Sequence, residues 1–316
     1  MYDGYLTDVP GIRVGHFEDR DAMTGASVII FDHGAVGGVD VRGSAPGTRE
    51  TDLFDEKKMM DRINAIVLAG GSAYGLDAAG GVMKYLEENN MGFDTGVCKV
   101  PIVASAVIFD LGLGDFCVRP DFQMGYKAAR LATKDENRQG NVGAGCGASV
   151  GKILGNDHAM KAGLGSASVS HGDLIVSAMV VVNAMGDVYD LEGNEIAGVY
   201  DYEKSEFLDT VEIMKNGFKK DLAGKNTTIG VLATNAKLSK AQANKLAELG
   251  HNAYARQIVP VHTNFDGDTI FALGTNEVQA DVNLVGLLAV EAMEKAIVNA
   301  IKSAQSYKNF KAAADL

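Results

Sequence analysis

Apolar runs interrupted by glycine and aspartate open the chain, and residues 12–14, 26–31 and 37–41 read as strands. Residues 63–68 form another. Gly70-Gly71-Ser72 then leads into residues 74–86, where Leu76, Ala79, Val82, Met83 and Leu86 recur at helical spacing. Met124, Ala128 and Leu131 predict a second helix over 122–133, and the polar stretch 134–140 reads as an exposed loop. Two strands, 167–170 and 174–183, are joined by the turn His171-Gly172-Asp173. The second is apolar almost without a break, as a strand buried on both faces should be, and its end places Asn183 at an edge of the core.

Charge then dominates. Eleven of the twenty-five residues 201–225 are Asp, Glu or Lys, after which the pattern switches to Thr227-Thr228-Ile229-Gly230-Val231-Leu232-Ala233. A polar, mobile lead-in feeding a buried strand is expected. Ser239 and Gln242 have the form of a capping box ahead of a helix carrying Ala241, Leu246 and Leu249. Residues 269–273 are a further strand and 278–301 the longest amphipathic helix. Strands and helices come in mixed order rather than in strict βαβ alternation, which indicates antiparallel or mixed sheets with helices outside, an α+β sandwich.

Composition narrows the function classes. The chain has 316 residues, 47% apolar and 22% charged, enough to bury a large core, and one domain spanning 1–316 is expected. A net charge of -12 without a basic stripe disfavours nucleic acid and favours amine-bearing ligands. Cys98, Cys117 and Cys146 are an odd number without C-x-x-C spacing, so neither a disulfide framework nor a zinc knuckle is indicated, and a reducing cytoplasm fits. Residues 1–9 lack the apolar core of a signal peptide, and no apolar run approaches membrane-span length; no membrane association is expected.

Familiar motifs fail in turn. Gly143-Ala144-Gly145-Cys146-Gly147-Ala148 lacks the preceding strand of a dinucleotide site, and Gly151-Lys152 is followed by Ile153 where a phosphate loop needs Ser or Thr. The six histidines show no metal-ligand spacing, so no cofactor or metal is expected and the histidines read as satisfied or surface residues. Ser72 lies in a glycine turn that is not a nucleophile elbow. Asn226-Thr227 joins a turn former to a β-hydroxy residue at the head of a buried strand. Such a threonine can attack the preceding carbonyl, and the amine so freed has an ordinary pKa of about 8, suited to a general base. The dipeptide is equally an ordinary loop-to-strand junction. Asp266-Gly267-Asp268, if extended, points both carboxylates to one side; as a turn it would be a solvated acidic loop.

Taken in order, Val9-Pro10-Gly11-Ile12-Arg13-Val14-Gly15-His16, the Gly70 to Leu76 turn, the Gly143 to Ala148 block, Asn226-Thr227-Thr228 with Ala233-Thr234-Asn235, and Asp266-Gly267-Asp268 resemble the DmpA-like self-processing peptidases. That family includes L-aminopeptidase/D-esterases, β-peptidyl aminopeptidases and nylon-oligomer hydrolases. The resemblance implies a four-layer αββα sandwich, self-cleavage into chains 1–226 and 227–316, and a homotetramer of processed protomers acting on small peptides or amides. It places the nucleophile at Thr227 rather than Thr228. It makes Lys152 a base or positioning cation and Asn183 an oxyanion donor, with Asp266 and Asp268 orienting Thr227 and Lys152. Ser72, Tyr74 and Phe109 become substrate-pocket candidates, Phe109 falling where many members carry Tyr. Acyl transfer to an amine, as in the similar ornithine acetyltransferases, and an unprocessed ligand-binding homologue are the alternative functions.

Overall fold

Strands of alternating side-chain direction build a nine-stranded sheet within residues 1–217 and 226–316, the part of the chain that the computed structural model describes. In chain order they are β1 (Ile12–Asp19), β2 (Thr24–Val41), β3 (Thr48–Arg49), β4 (Arg62–Ala69), β5 (Val103–Val107), β6 (Leu164–His171), β7 (Leu174–Val181), β8 (Ile229–Ala236) and β9 (Thr269–Val278). Across the sheet they run β6-β7-β8-β9-β2-β4-β5-β3, with β1 also paired to β2. The β4–β5 and β8–β9 pairs are parallel and the others antiparallel. The helices are α1 (Ala78–Glu88), α2 (Phe122–Arg130), α3 (Thr210–Lys215), α4 (Lys240–Gln257) and α5 (Val282–Lys302).

β2 ties the two halves of the sheet together. Its N-terminal part pairs with β1 and β4, and its C-terminal part with β9. The sequence suggests two strands there because Asp32-His33-Gly34 looks like a turn. Instead the strand continues through an irregularity between Ile30 and Ala35, and the Asp32 carboxylate is held by Arg13 at 2.7 Å. Along this strand Val28 and Ile30 join α1 and α2 in one core through Val82, Leu86 and Ala128. The alternate residues Ile29 and Phe31 enter the larger core shared with β6 to β9. β4 divides likewise, Val67 to one core and Ile66 and Leu68 to the other.

The other half of the sheet is covered by α4 and α5. Asn244 of α4 accepts the β2 amide of Val39 at 2.9 Å, and Asn299 of α5 donates to the β6 carbonyl of Ser166 at 2.8 Å. Helices therefore lie outside both halves, the layered α+β arrangement expected. The capping box at Ser239 and Gln242 opens α4. Among the described residues no helix is long and apolar enough to cross a membrane.

Some boundaries differ from the sequence pattern. Residues 72–77 form a tight 3-10 turn, so α1 begins at Ala78 rather than at residue 74. β9 runs on to Val278, and α5 waits for Asp281, whose carboxylate accepts the amides of Asn283 and Leu284. The charged lead-in holds two short strands, Val199–Asp201 and Glu206–Leu208, and α3; its last part, 218–225, lies outside the described residues.

Candidate active site

Because β8 and β9 run parallel as neighbours, the segments that precede them emerge side by side. Asn226 bridges Asp266, the Gly267 amide donates to the Asn226 carbonyl at 2.9 Å, and the Thr269 amide donates to the Thr228 carbonyl. Ala45 and Arg42, just after β2, donate to the carbonyls of Asp266 and Asp268 from the other side. Asp266-Gly267-Asp268 is thus an extended, buried segment rather than a solvated acidic loop, with the two aspartates 2% and 1% exposed. A Cβ at position 267 would lie 2.6 Å from the Ala45 carbonyl oxygen and 2.8 Å from Thr227 Oγ1, so this crossing requires glycine.

The Asn226–Thr227 peptide sits at the centre of the cluster and both residues are buried. Its carbonyl oxygen accepts from the Gly267 amide and, at 2.5 Å, from the Thr227 hydroxyl. Its own N–H donates to the Asn183 carbonyl at 2.9 Å. The side-chain amide of Asn226 has no hydrogen-bond partner among the described residues.

Asn183, two residues past the end of β7, is a hub. Its carbonyl and side-chain oxygens accept from Lys152 Nζ at 3.0 and 2.8 Å, the side-chain oxygen also accepts the Ser149 amide, and Nδ2 donates to the Phe109 carbonyl at 3.2 Å. Lys152 itself is drawn in by its own backbone, whose amide donates to the Met185 carbonyl. Burial pushes this ammonium down to about 7, and the carboxylates of Asp266, Asp110 and Asp268 oppose that fall. A lysine that reads on its own as a surface residue is in fact enclosed. Burial, reinforced by Asp268, raises the Asp266 carboxyl to about 6, against bonds from Thr263 and the charge of Lys152.

The pocket candidates spread outward. Phe109 meets Asn183 through its carbonyl, and the next residue, Asp110, binds the Gly71 amide at 2.7 Å and the Thr24 hydroxyl at 2.7 Å. Ser72, held in a left-handed conformation at φ 53°, donates its amide to the Ile108 carbonyl, which places the Gly70 turn behind Phe109. Tyr74 lies at the surface, 61% exposed, with the Arg119 guanidinium 3.9 Å above its ring. The Gly143–Gly145 turn packs against β1 and β2, its amides donating to Glu18 and Ser27.

Two residues at the aspartate pair carry no motif of their own. The His262 amide and Nδ1 both reach Asp268 Oδ2, at 3.3 and 2.8 Å, while Asp268 Oδ1 accepts the Thr228 amide at 2.7 Å. The Thr263 amide and hydroxyl both donate to Asp266 Oδ2, at 2.8 and 2.6 Å. The signal open to a reader of the sequence was short-range: a hydroxyl residue three positions before an aspartate is a common side-chain turn.

The model of peptidase family S58 matches residues 4–314. An uncharacterized aminopeptidase of Mycobacterium leprae is 39% identical over 95% of this chain and 91% of its own length. A 6-aminohexanoate-oligomer endohydrolase of Kocuria sp. is 34% identical over 93% of this chain and 85% of its own. The L-aminopeptidase D-Ala-esterase/amidase of Ochrobactrum anthropi, described as a variant of the Ntn hydrolase fold, superposes with a TM-score of 0.70 at 19% identity, covering 95% of this chain and 86% of that one. With the family model and two relatives each matching nearly the whole chain, the protein belongs to peptidase family S58.

Proposed function

We propose that the chain is the precursor of an N-terminal-nucleophile hydrolase, cut by its own Thr227 into 1–226 and 227–316 and then active on short peptides or other small amides and esters. The observation that carries this reading is the Asn226–Thr227 peptide unit, whose carbonyl oxygen is gripped by the Gly267 amide with the Thr227 hydroxyl beside it. In the first step Thr227 Oγ bonds to the Asn226 carbonyl carbon while its proton passes to neutral Lys152, a form within reach because burial holds that lysine to about 7. The oxyanion stays on the Gly267 amide, and a preorganised donor of this kind contributes roughly 3 to 4 kcal/mol. Breaking the C–N bond returns the proton to the threonine nitrogen and leaves an ester. Water then releases the Asn226 carboxylate and restores the hydroxyl.

In turnover the freed α-amine of Thr227 serves as base and its hydroxyl as nucleophile towards the substrate carbonyl. Asn183 Nδ2, with one hydrogen engaged by Phe109, has a second to offer the oxyanion. Asp266 and Asp268 balance the positive charge of Lys152 and the amine. Amine-ended amides are the proposed substrates, on the names of the relatives and on the net charge of -12.

Intact mass measurement of freshly purified protein should find two chains, the smaller beginning at Thr227, and Thr227→Ala should leave one uncut, inactive chain. A wild-type protein that stays whole, or a Thr227→Ala variant that retains hydrolysis, would sink the reading.

A further inference from the structure

His262 and Thr263 are consecutive, and each grips one of the two carboxylates with both its amide and its side chain. His262 adopts φ 56°, a left-handed conformation that is sparsely populated for a residue with a side chain. The two consecutive amides at this left-handed residue receive different carboxylates, that of His262 going to Asp268 and that of Thr263 to Asp266. The His262 ring is held in turn. His251 meets it edge-on with centroids 4.8 Å apart, and Tyr254 lies at 6.1 Å. Burial, then the neighbouring His262, pushes His251 down to about 3, so this packing partner stays neutral.

The gripped aspartates adjoin the peptide unit described above, Asp268 through its carboxylate and Asp266 through its backbone. Asp268 holds the Thr228 amide, Asp266 bridges Asn226, and the amide on the Asn226 carbonyl belongs to Gly267 between them. Thr263 and His262 touch neither the Asn226 carbonyl nor the Thr227 hydroxyl in the hydrogen-bond network, so any effect they have on cutting passes through the aspartates.

We propose that His262 and Thr263 are positioning residues, a clamp that holds the carboxylates of Asp268 and Asp266 in place for cutting at Asn226–Thr227; the proposal rests on the self-cleavage reading. Three influences besides burial face the Asp266 carboxyl: the Asp268 carboxylate raises it, while the Thr263 donors and Lys152 hold it down. Removing the Thr263 hydroxyl strips a donor from the ionised carboxylate. The proton is then held more tightly; because the ionised Asp266 balances the charge that Lys152 gains in the first step, cutting needs both Asp266 ionised and Lys152 neutral, and the acid limb of the rate moves to higher pH.

The test follows self-cleavage of pulse-labelled, full-length precursor made by cell-free translation, chased across about pH 5 to 8, so that no external substrate is needed. Thr263→Val keeps the backbone donor and loses the hydroxyl; its acid limb should rise by about one pH unit, and Thr263→Ser should return it towards wild type. His262→Asn, which tolerates the left-handed backbone and offers a side-chain donor, should cut faster than His262→Gly, which keeps only the backbone amide. A Thr263→Val limb that coincides with wild type overturns the proposal, as does equal cutting by the two His262 variants. If Thr263→Val does not accumulate folded, Thr263→Ala carries the same test; should neither fold while Thr263→Ser does, the hydroxyl serves stability alone and the proposal fails. Wild-type precursor that is never cut points instead to failure of the underlying reading.

Discussion

Two enclosed lysines separate structural from chemical duty at the scale of single residues. Lys161 is fully buried and donates to the carbonyls of Gly145, Ala148 and Ala162, pinning the glycine block beside β6. Burial pushes it down to about 7, against Cys146 and Asp110. Lys152 is pushed to a similar value, yet its neighbours are the oxygens of Asn183 and the field of the aspartates beside the Asn226–Thr227 peptide. Opposite phenotypes are expected. Lys161→Met leaves three buried carbonyls short of a donor and should lose about 3 kcal/mol in urea unfolding while the folded fraction is still cut. Lys152→Met should fold and stay whole on a denaturing gel; cutting at the wild-type rate would remove Lys152 from the chemistry.

At the scale of elements, α1 and α2 cross where a glycine of each meets the backbone of the other. A Cβ at Gly81 would fall on the Phe122 carbonyl, and one at Gly125 on the Ala78 carbonyl. Backbone cannot retreat as a flexible side chain can, so the contact sets the spacing of the helix pair over β1, β2 and β4. Gly80, one residue earlier, would put its Cβ 3.4 Å from the Phe122 ring, an ordinary contact. Gly81→Ala and Gly125→Ala should each lose roughly 2 to 3 kcal/mol of unfolding free energy, whereas Gly80→Ala should be neutral or gain up to about 1 kcal/mol from helix propensity. Equal thermal midpoints for Gly80→Ala and Gly81→Ala would mean that the helices separate freely.

On the scale of the molecule, the sheet order interleaves the two proposed products. β8 and β9 belong to 227–316, yet they lie between β7 and β2 of 1–226, with β8 paired to β7 and β9 to β2. α4 and α5, also in the second product, cover strands of the first, as the Asn244 and Asn299 bonds show. Separating the pieces would strip both edges of a two-stranded insert and expose the core beneath it, a loss comparable to unfolding. The cut protein should therefore migrate as one particle in native mass spectrometry and part into two chains only in denaturant. Free 227–316 in native buffer would contradict this strand order.

Much of the layering was readable along the chain, because the pattern of apolar residues is a local property: the runs over 174–183 and 26–31 and the capping box at Ser239 each declare an element from its own residues. Local patterns failed where a distant partner decides. Asp32-His33-Gly34 reads as a turn until Arg13 holds it within β2, and residue 278 reads as helical until pairing extends β9 through it. The candidate site divides the same way. Sequence by itself determined the residue types, a threonine after asparagine and two aspartates one glycine apart. The tertiary structure alone decided that β8 and β9 are parallel neighbours, that Lys152 is enclosed against Asn183, and that His262 and Thr263 close on the aspartates. The reason is physical: a side-chain period specifies which face of a strand is buried, and carries no information about which strand will lie beside it.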